Sequence, residues 1–270
     1  MAQQSAEWLG LQDRVCVVTG AGGGIGRAVA LGMAQAGAAV VLLDNNEANC
    51  RATEEALRPT GARTLALTCD IADPDSVAAA ERASQAIGPC DILVNNAGML
   101  LAGSLPTVSI PDWNRLLAVN LTGYLLCAQA FGKAMIERGR GAIVHTASIA
   151  GSQAQGFSGA YSVSKAGVLM LSKQLAVEWG PHGVRSNVMS PGLVRTPMSE
   201  MFYQDPSVTQ RRSAAIPLGR IGTPEDMAQV IMFLASDRAG FVNGQEIIVD
   251  GGFEHMLMSL VPRPGFERGN

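Results

Sequence analysis

"RVCVVTGAGGGIGRA", residues 14–28, decides how this chain is read. The apolar run 14–18 has the length and β-branched content of a buried strand. It passes directly into a glycine cluster and then into a segment of helical period over 24–36. Gly20, Gly24 and Gly26 stand in the spacing TGxxxGxG. Glycine belongs where a turn must be tight and the backbone must approach a pyrophosphate, and the helix after it offers its unpaired N–H groups to that anion. A glycine cluster alone is an ordinary turn. Placed between strand and helix, this one reads as a nucleotide turn, with Gly20, Gly24, Ile25 and Gly26 as its cofactor contacts.

The same alternation continues through most of the chain. Apolar runs at 14–18, 39–43, 64–68, 91–94, 142–146, 184–189 and 246–249 predict strands, and helices are expected near 46–58, 75–87, 111–137, 159–180 and 224–235. This pattern predicts an α/β fold: a Rossmann-type, doubly wound, seven-stranded parallel sheet with helices on both faces. No linker divides it, so residues 1–270 are expected to form a single dinucleotide-binding and catalytic domain. The stretch 191–217, rich in Pro, Met, Ser and Gln, reads as an irregular insertion, with a substrate lid at about 193–217.

Composition narrows the function classes. Hydrophobic residues make up 47% of the chain and charged residues 16%, the balance of a well-buried globular body. A net charge of -3 without a basic run argues against a nucleic-acid partner. "MAQQSAEWLG" has neither a positive leader nor an apolar core, and no apolar run reaches the ~18 residues of a membrane helix, so a cytoplasmic protein without a membrane partner is expected. The five cysteines are widely spaced and read as reduced core residues, and with three histidines dispersed no metal is expected.

Residues at successive strand ends extend the nucleotide reading. Asp44 follows the second strand, where a carboxylate can accept from both ribose hydroxyls of an adenosine and repels a 2′-phosphate. The expected cofactor is therefore NAD rather than NADP, although Arg27 and Arg51 lie nearby. Asp70, with Ile71 after it, follows the third strand and suits the adenine edge, a helix cap or a turn alike. "NNAG", 95–98, places Asn96, Ala97 and Gly98 after the fourth strand, as cofactor contacts or as the stabiliser of a bend.

The chemistry centres on "YSVSKAG", 161–167. Tyr161 and Lys165 are four residues apart and share a helix face, an arrangement that also suits ordinary packing. A tyrosine with a pKa of about 10 moves protons poorly near neutrality, and an adjacent ammonium favours its phenolate. Ser148, 13 residues before Tyr161 at the end of the fifth strand, can donate to a substrate oxygen as charge develops on it. Asn120 is a polar residue in an otherwise apolar helical segment.

In this order "TGAGGGIG", "NNAG", Asn120, Ser148, "YSVSK" and "PGLVRTPM" resemble the short-chain dehydrogenase/reductase family in its single-domain form of about 250 residues, from Leu11 to Gly252. The resemblance implies that Tyr161 is the general acid/base and that Lys165 lowers its pKa and binds the nicotinamide ribose. It implies that Ser148 orients the substrate oxygen and that Asn120 holds a water in a proton relay. Pro191 and Gly192 would lie beneath the nicotinamide, with Val194 and Thr196 at its carboxamide. It also implies a homotetramer.

Two features depart from the family pattern. "VHTAS" leaves Ser148 as the hydroxyl where two serines are commoner, and the tail 253–270 runs past the usual end and carries the apolar "MLMSLVP". The tail is expected to pack at a subunit interface. The substrate wall is expected to include Ser148, Gln153, Phe157, Tyr161, Met198, Met201 and Phe202, with Tyr203 beside them, which suits a secondary alcohol or ketone with an apolar or cyclic body. An NADPH-dependent 3-ketoacyl carrier-protein reductase shares this chemistry, but Asp44 and the acidic balance weigh against it. A non-catalytic nucleotide-binding protein would not need Ser148, Tyr161 and Lys165 together.

Overall fold

In the computed structural model, which describes residues 8–261 and 265, all seven predicted strands join one parallel sheet. They are β1 (Val15–Thr19), β2 (Ala39–Asp44), β3 (Thr64–Thr68), β4 (Ile92–Asn95), β5 (Gly141–Thr146), β6 (Val184–Pro191) and β7 (Glu246–Val249). Their order is β3-β2-β1-β4-β5-β6-β7. The chain winds one way from β1 to β3 and the other way from β4 to β7, so a crevice opens at the carboxyl ends of β1 and β4, where the order reverses.

Strand periodicity divides the core. Cys16, Val18, Val40, Leu42, Ile92 and Val94 face one layer, which includes helices α1 (Gly24–Gln35) and α8 (Pro224–Ala235). Val17, Val41, Leu43, Leu93 and Ile143 face the other, against α3 (Pro74–Ser84), α5 (Gly123–Arg138) and α6 (Tyr161–Trp179). A sheet covered on both faces needs apolar residues on both, which is why its strands read as continuous apolar runs. Cys16, Cys50, Cys69, Cys90 and Cys127 are free and buried within these layers. Among the described residues no helix is long and apolar enough to cross a membrane.

Most helices begin on a side-chain cap. Asn46 caps α2 (Glu47–Leu57), Asp73 caps α3, Ser109 caps α4 (Ile110–Leu117), and Asp205 caps α7 (Pro206–Ala215). Thr223 and Asp226 form a capping box on α8, and Arg220 holds the Asp226 carboxylate at 2.6 and 2.8 Å. These bonds keep the Asp226 carboxyl well below the usual carboxylate range. Asp226→Ala should cost about 1–2 kcal/mol in urea unfolding at pH 7. A depressed folded-state pKa stabilises above the unfolded value, so the deficit should shrink as pH falls below the ordinary 3.8.

Two expectations change. The helix expected over 111–137 is α4 and α5 joined by a π turn, Ala118–Thr122, which inserts the extra residue that turns Asn120 into the interior. The stretch 191–217 is not irregular: a 3₁₀ turn, Glu200–Tyr203, and α7 occupy it. Arg212 stacks over Phe202 and Tyr203 at 5.0 Å each and clips these two pieces together. The tail begins as a 3₁₀ helix, Phe253–Leu260, with Leu257, Met258, Leu260 and Val261 exposed. Residues 1–7, 262–264 and 266–270 of the leader and tail lie outside the described residues.

Candidate active site

The glycine turn is shaped by contacts that only hydrogen can make. A Cβ on Gly26 would sit 2.1 Å from the Gly20 carbonyl oxygen, and one on Gly20 would sit 2.7 Å from Ala97 Cα. Gly20 and Gly24 also adopt positive φ, +65° and +52°. Unlike the capped helices, α1 starts at Gly23 with no side-chain cap and no acid in its first turn. Its first N–H groups, at the positive end of the helix dipole, are left for an anion. The donor set therefore fits a dinucleotide pyrophosphate.

Side chains from three strand ends hold this turn. Thr19 Oγ1 accepts from the N–H groups of Asn96 and Ala97 at 2.9 and 3.0 Å. Asn96 donates to the carbonyls of Thr19 and Gly20 at 3.1 and 3.3 Å and accepts from Thr146 at 3.3 Å. The Asn96 side chain thus braces the ends of β1, β4 and β5, while Ala97 and Gly98 form the wall beside the turn. Asp44 lies against the turn, accepting from Gly22 N–H at 2.8 Å and from Asn46 N–H at 2.9 Å. Arg51 is paired with Glu47 at 2.8 Å.

The segment after β6 returns to the same place. Gly192 packs so close to Asp250 that a Cβ would stand 2.5 Å from that residue's Cβ. Val194 is buried and bridges Gly222, and Thr196 reaches Gly24, where a Cβ on the glycine would meet Thr196 Cβ at 3.3 Å. Of these residues Thr196 meets the glycine turn, while Pro191 pairs with Val249, Gly192 packs on Asp250 and Val194 on Gly222.

The chemical end is assembled by the packing of one short turn on α6. Ser148 caps a 3₁₀ turn, Ile149–Gly151, accepting from Ala150 N–H at 3.1 Å. Gly151 packs on the Lys165 backbone, with its Cβ position 2.9 Å from the Lys165 carbonyl carbon, which draws Ser148 towards Tyr161. Lys165 is buried, donates to the Thr146 carbonyl at 2.9 Å and lies 5.7 Å from the Tyr161 ring centre. Asn120 is clamped to Met99, accepting from its N–H at 2.8 Å and donating to its carbonyl at 2.9 Å. The position of a Cβ on Gly98 would be 3.4 Å from Asn120 Oδ1 and 3.8 Å from Lys165 Nζ, so these three residues meet around one point.

The electrostatics differ from the simple pairing expected. Burial pushes the Tyr161 phenol up from 10.0, with the Ser148 hydroxyl acting in the opposite direction. Burial pushes the Lys165 amine down from 10.5 to about 7. Burial disfavours the ammonium form of the lysine, and an amine whose charge is disfavoured is a weaker source of phenolate stabilisation.

Other predicted residues fall elsewhere. Asp70 is exposed and accepts from Ala72 N–H at 2.9 Å in a local turn, and Ile71 is buried beneath Gly123 in the core. Ile25 is half-buried and packs on the core layer of α1. Gln153, Phe157, Met198 and Met201 are exposed, and Phe202 is half-buried under Arg212. Tyr203 is 5% exposed and packs between Arg195 and Arg212 rather than forming part of an open wall. Phe157 holds φ +59°, a left-handed conformation costly for a bulky residue, and keeps its ring 79% exposed. The sequence reading missed Thr19 and Tyr124, although Tyr124 stands one helical turn after Asn120 in the sequence.

Comparison with known proteins agrees with this geometry. The family model described as enoyl-(acyl carrier protein) reductase matches residues 20–254. The chain is 40% identical to D-threitol dehydrogenase of Mycolicibacterium smegmatis over 244 residues, covering 90% of this chain and 94% of that one. It is 41% identical to cis-4-hydroxycyclohexanecarboxylate dehydrogenase of Sinomonas cyclohexanicum over 243 residues, 89% of this chain and 96% of that one. The crystal structure of a gluconate 5-dehydrogenase from Burkholderia cenocepacia in complex with NADP and tartrate superposes with a TM-score of 0.86 at 34% identity, covering 90% of this chain and 96% of that one. The chain belongs to the short-chain dehydrogenase/reductase family, as a nicotinamide-dependent oxidoreductase acting on CH–OH groups.

Proposed function

We propose that this enzyme interconverts a secondary alcohol and a ketone, uses NAD in preference to NADP, and employs Tyr161 as its general acid/base. The convergence of Ser148, Tyr161 and Lys165 at the end of β5, beside a glycine-shaped nucleotide turn, carries the reading. In alcohol oxidation the bound nicotinamide supplies the hydride acceptor and a positive charge. Tyr161 Oη takes the hydroxyl proton. Ser148 Oγ donates to the same substrate oxygen and fixes it against the phenol. Lys165 would hold the nicotinamide ribose and pass the proton taken by Tyr161 on towards Asn120. Lys165 and Ser148 are buried and Tyr161 is half-buried beside them, so proton transfer depends on these few groups.

Asp44 supports the preference for NAD. Its carboxylate rests on the glycine turn, and Arg51, which would otherwise be free to meet a 2′-phosphate, is paired with Glu47. Asp44→Asn keeps an acceptor oxygen and removes the charge. The ratio of kcat/KM for NAD to that for NADP should fall at least about tenfold, the equivalent of ~1.4 kcal/mol. A wild-type enzyme that already prefers NADP overturns the assignment.

The relatives act on a tetritol and on a hydroxylated cyclohexane acid, and the exposed rim of Phe157, Met198 and Met201 offers adaptable apolar contacts. The substrate proposed is a secondary alcohol on a cyclic or polyhydroxylated body, closed over by the 193–217 lid. NAD reduction measured across polyols, cyclic alcohols, hydroxysteroids and sugars tests this. A tetramer with the apolar tail at a subunit contact and a cytoplasmic location belong to the same reading.

A further inference from the structure

Beneath Lys165 lies a second tyrosine that the proposed mechanism does not use. Tyr124, on α5, is fully buried, and its hydroxyl donates to the Thr146 carbonyl at 3.1 Å. Lys165 Nζ donates to that same oxygen at 2.9 Å and stands 5.4 Å from the Tyr124 ring centre, within cation–π range. The ring is itself fixed. Its other neighbour, His145, stacks on it at 5.8 Å and 21°, and Asn95 donates to the Tyr124 backbone carbonyl at 3.0 Å.

We propose that Tyr124 is a positioning residue for Lys165: its ring supports the amine, and its hydroxyl takes one of the two lone pairs of the Thr146 carbonyl. The lysine is thereby seated on a shared acceptor that binds it weakly enough to leave for the nicotinamide ribose. The inference rests on the reading of Lys165 as the partner of Tyr161. A carbonyl already accepting one hydrogen bond is a poorer acceptor for the next, and the hydroxyl hydrogen aimed at that oxygen adds a partial positive charge beside the amine. Both effects disfavour the ammonium. The titratable groups facing the amine are Tyr161 on its own helix, Tyr124 on α5 and His145 on β5, and His145 is kept neutral by burial, which pushes it down to about 3.

The chain has three lysines, Lys133, Lys165 and Lys173, so protein labelled with ¹³Cε-lysine gives a spectrum simple enough to follow Lys165 directly. Lys133 and Lys173 are exposed, and Lys→Arg replacement at each assigns the remaining signal. In the unliganded wild-type protein Lys165 should titrate well below the ordinary lysine range of about 10.4. Tyr124→Phe keeps the ring and its volume and gives the carbonyl to Lys165 alone. The Lys165 midpoint should then rise by about half a unit, roughly threefold in proton affinity, and the NAD dissociation constant should rise as the amine is held more tightly. A folded Tyr124→Phe protein with an unchanged Lys165 midpoint overturns the proposal. So does a wild-type Lys165 that titrates in the ordinary lysine range of about 10.4, an arm that decides the matter if the variant does not fold. The titration uses neither substrate nor cofactor, so failure of alcohol oxidation in the wild type would count only against the reaction reading.

Discussion

Tyr161→Phe should lower kcat by about a hundred- to ten-thousand-fold while leaving the NAD dissociation constant within about twofold of wild type. The substitution removes a hydroxyl and leaves the ring. Helix α6 does not depend on that hydroxyl, because the local bonds use the backbone: Tyr161 N–H donates to Ser158 and Ser164 donates to the Tyr161 carbonyl. The ring that Lys165 approaches at 5.7 Å is kept. Neither of the other tyrosines can stand in. The Tyr124 hydroxyl is bound to the Thr146 carbonyl, and Tyr203 is packed between Arg195 and Arg212. A loss confined to kcat, measured by stopped-flow NADH formation beside calorimetric cofactor binding, is the signature of a missing proton acceptor. Substantial remaining turnover would remove Tyr161 from the mechanism. In the wild type, alcohol oxidation should quicken as pH rises, because burial has raised the phenol and phenolate is the form that accepts the proton.

The periods of the sequence made the sheet legible because its central strands are covered on both faces. Runs such as 15–18 and 39–43 had to be apolar throughout, and no alternation blurred their limits. The glycine turn was legible for a related reason: its constraint is local, and the residue that relieves it has no substitute. The interior of the site was harder. The π turn at Ala118–Thr122 adds one residue to a helix without a change in composition, so the period over 111–137 gives no sign of it. The acceptor that seats Lys165 is a backbone carbonyl, and a carbonyl has no letter. Tyr124 was within reach, since Asn120 and Tyr124 share a helix face at i and i+4. The helix in the lid was also within reach. Asp205-Pro206 repeats the cap-then-proline signal that marked Thr223-Pro224, but the weak amphipathy of α7 hid it. Asp70 accepts from Ala72 N–H in a local turn, a bond that order along the chain does not reveal.

The other large effect belongs to Gly26. Its φ is ordinary, so the glycine is required for space and not for conformation. A Cβ there would stand 2.1 Å from the Gly20 carbonyl oxygen, 2.8 Å from the Gly20 carbonyl carbon and 2.6 Å from the Asn96 amide nitrogen. Two of these are backbone atoms of the nucleotide turn, and the third belongs to the side chain that braces β1, β4 and β5. No rotamer change can relieve the overlap. The first turn of α1 must move away from β1, taking with it the uncapped N–H groups that face the pyrophosphate. Gly26→Ala should therefore cost about 1–3 kcal/mol, a fall of roughly 2–12 °C in Tm for a chain of this size. It should also weaken NAD binding more than about a hundredfold, since both the anion donors and the turn are displaced. Gly156→Ala is the matched control: that glycine has an ordinary φ and nothing within 4 Å of its Cβ position, so its Tm should stay close to wild type. If Gly26→Ala retained wild-type Tm and NAD affinity, the close packing of helix on strand would not be what shapes the cofactor site.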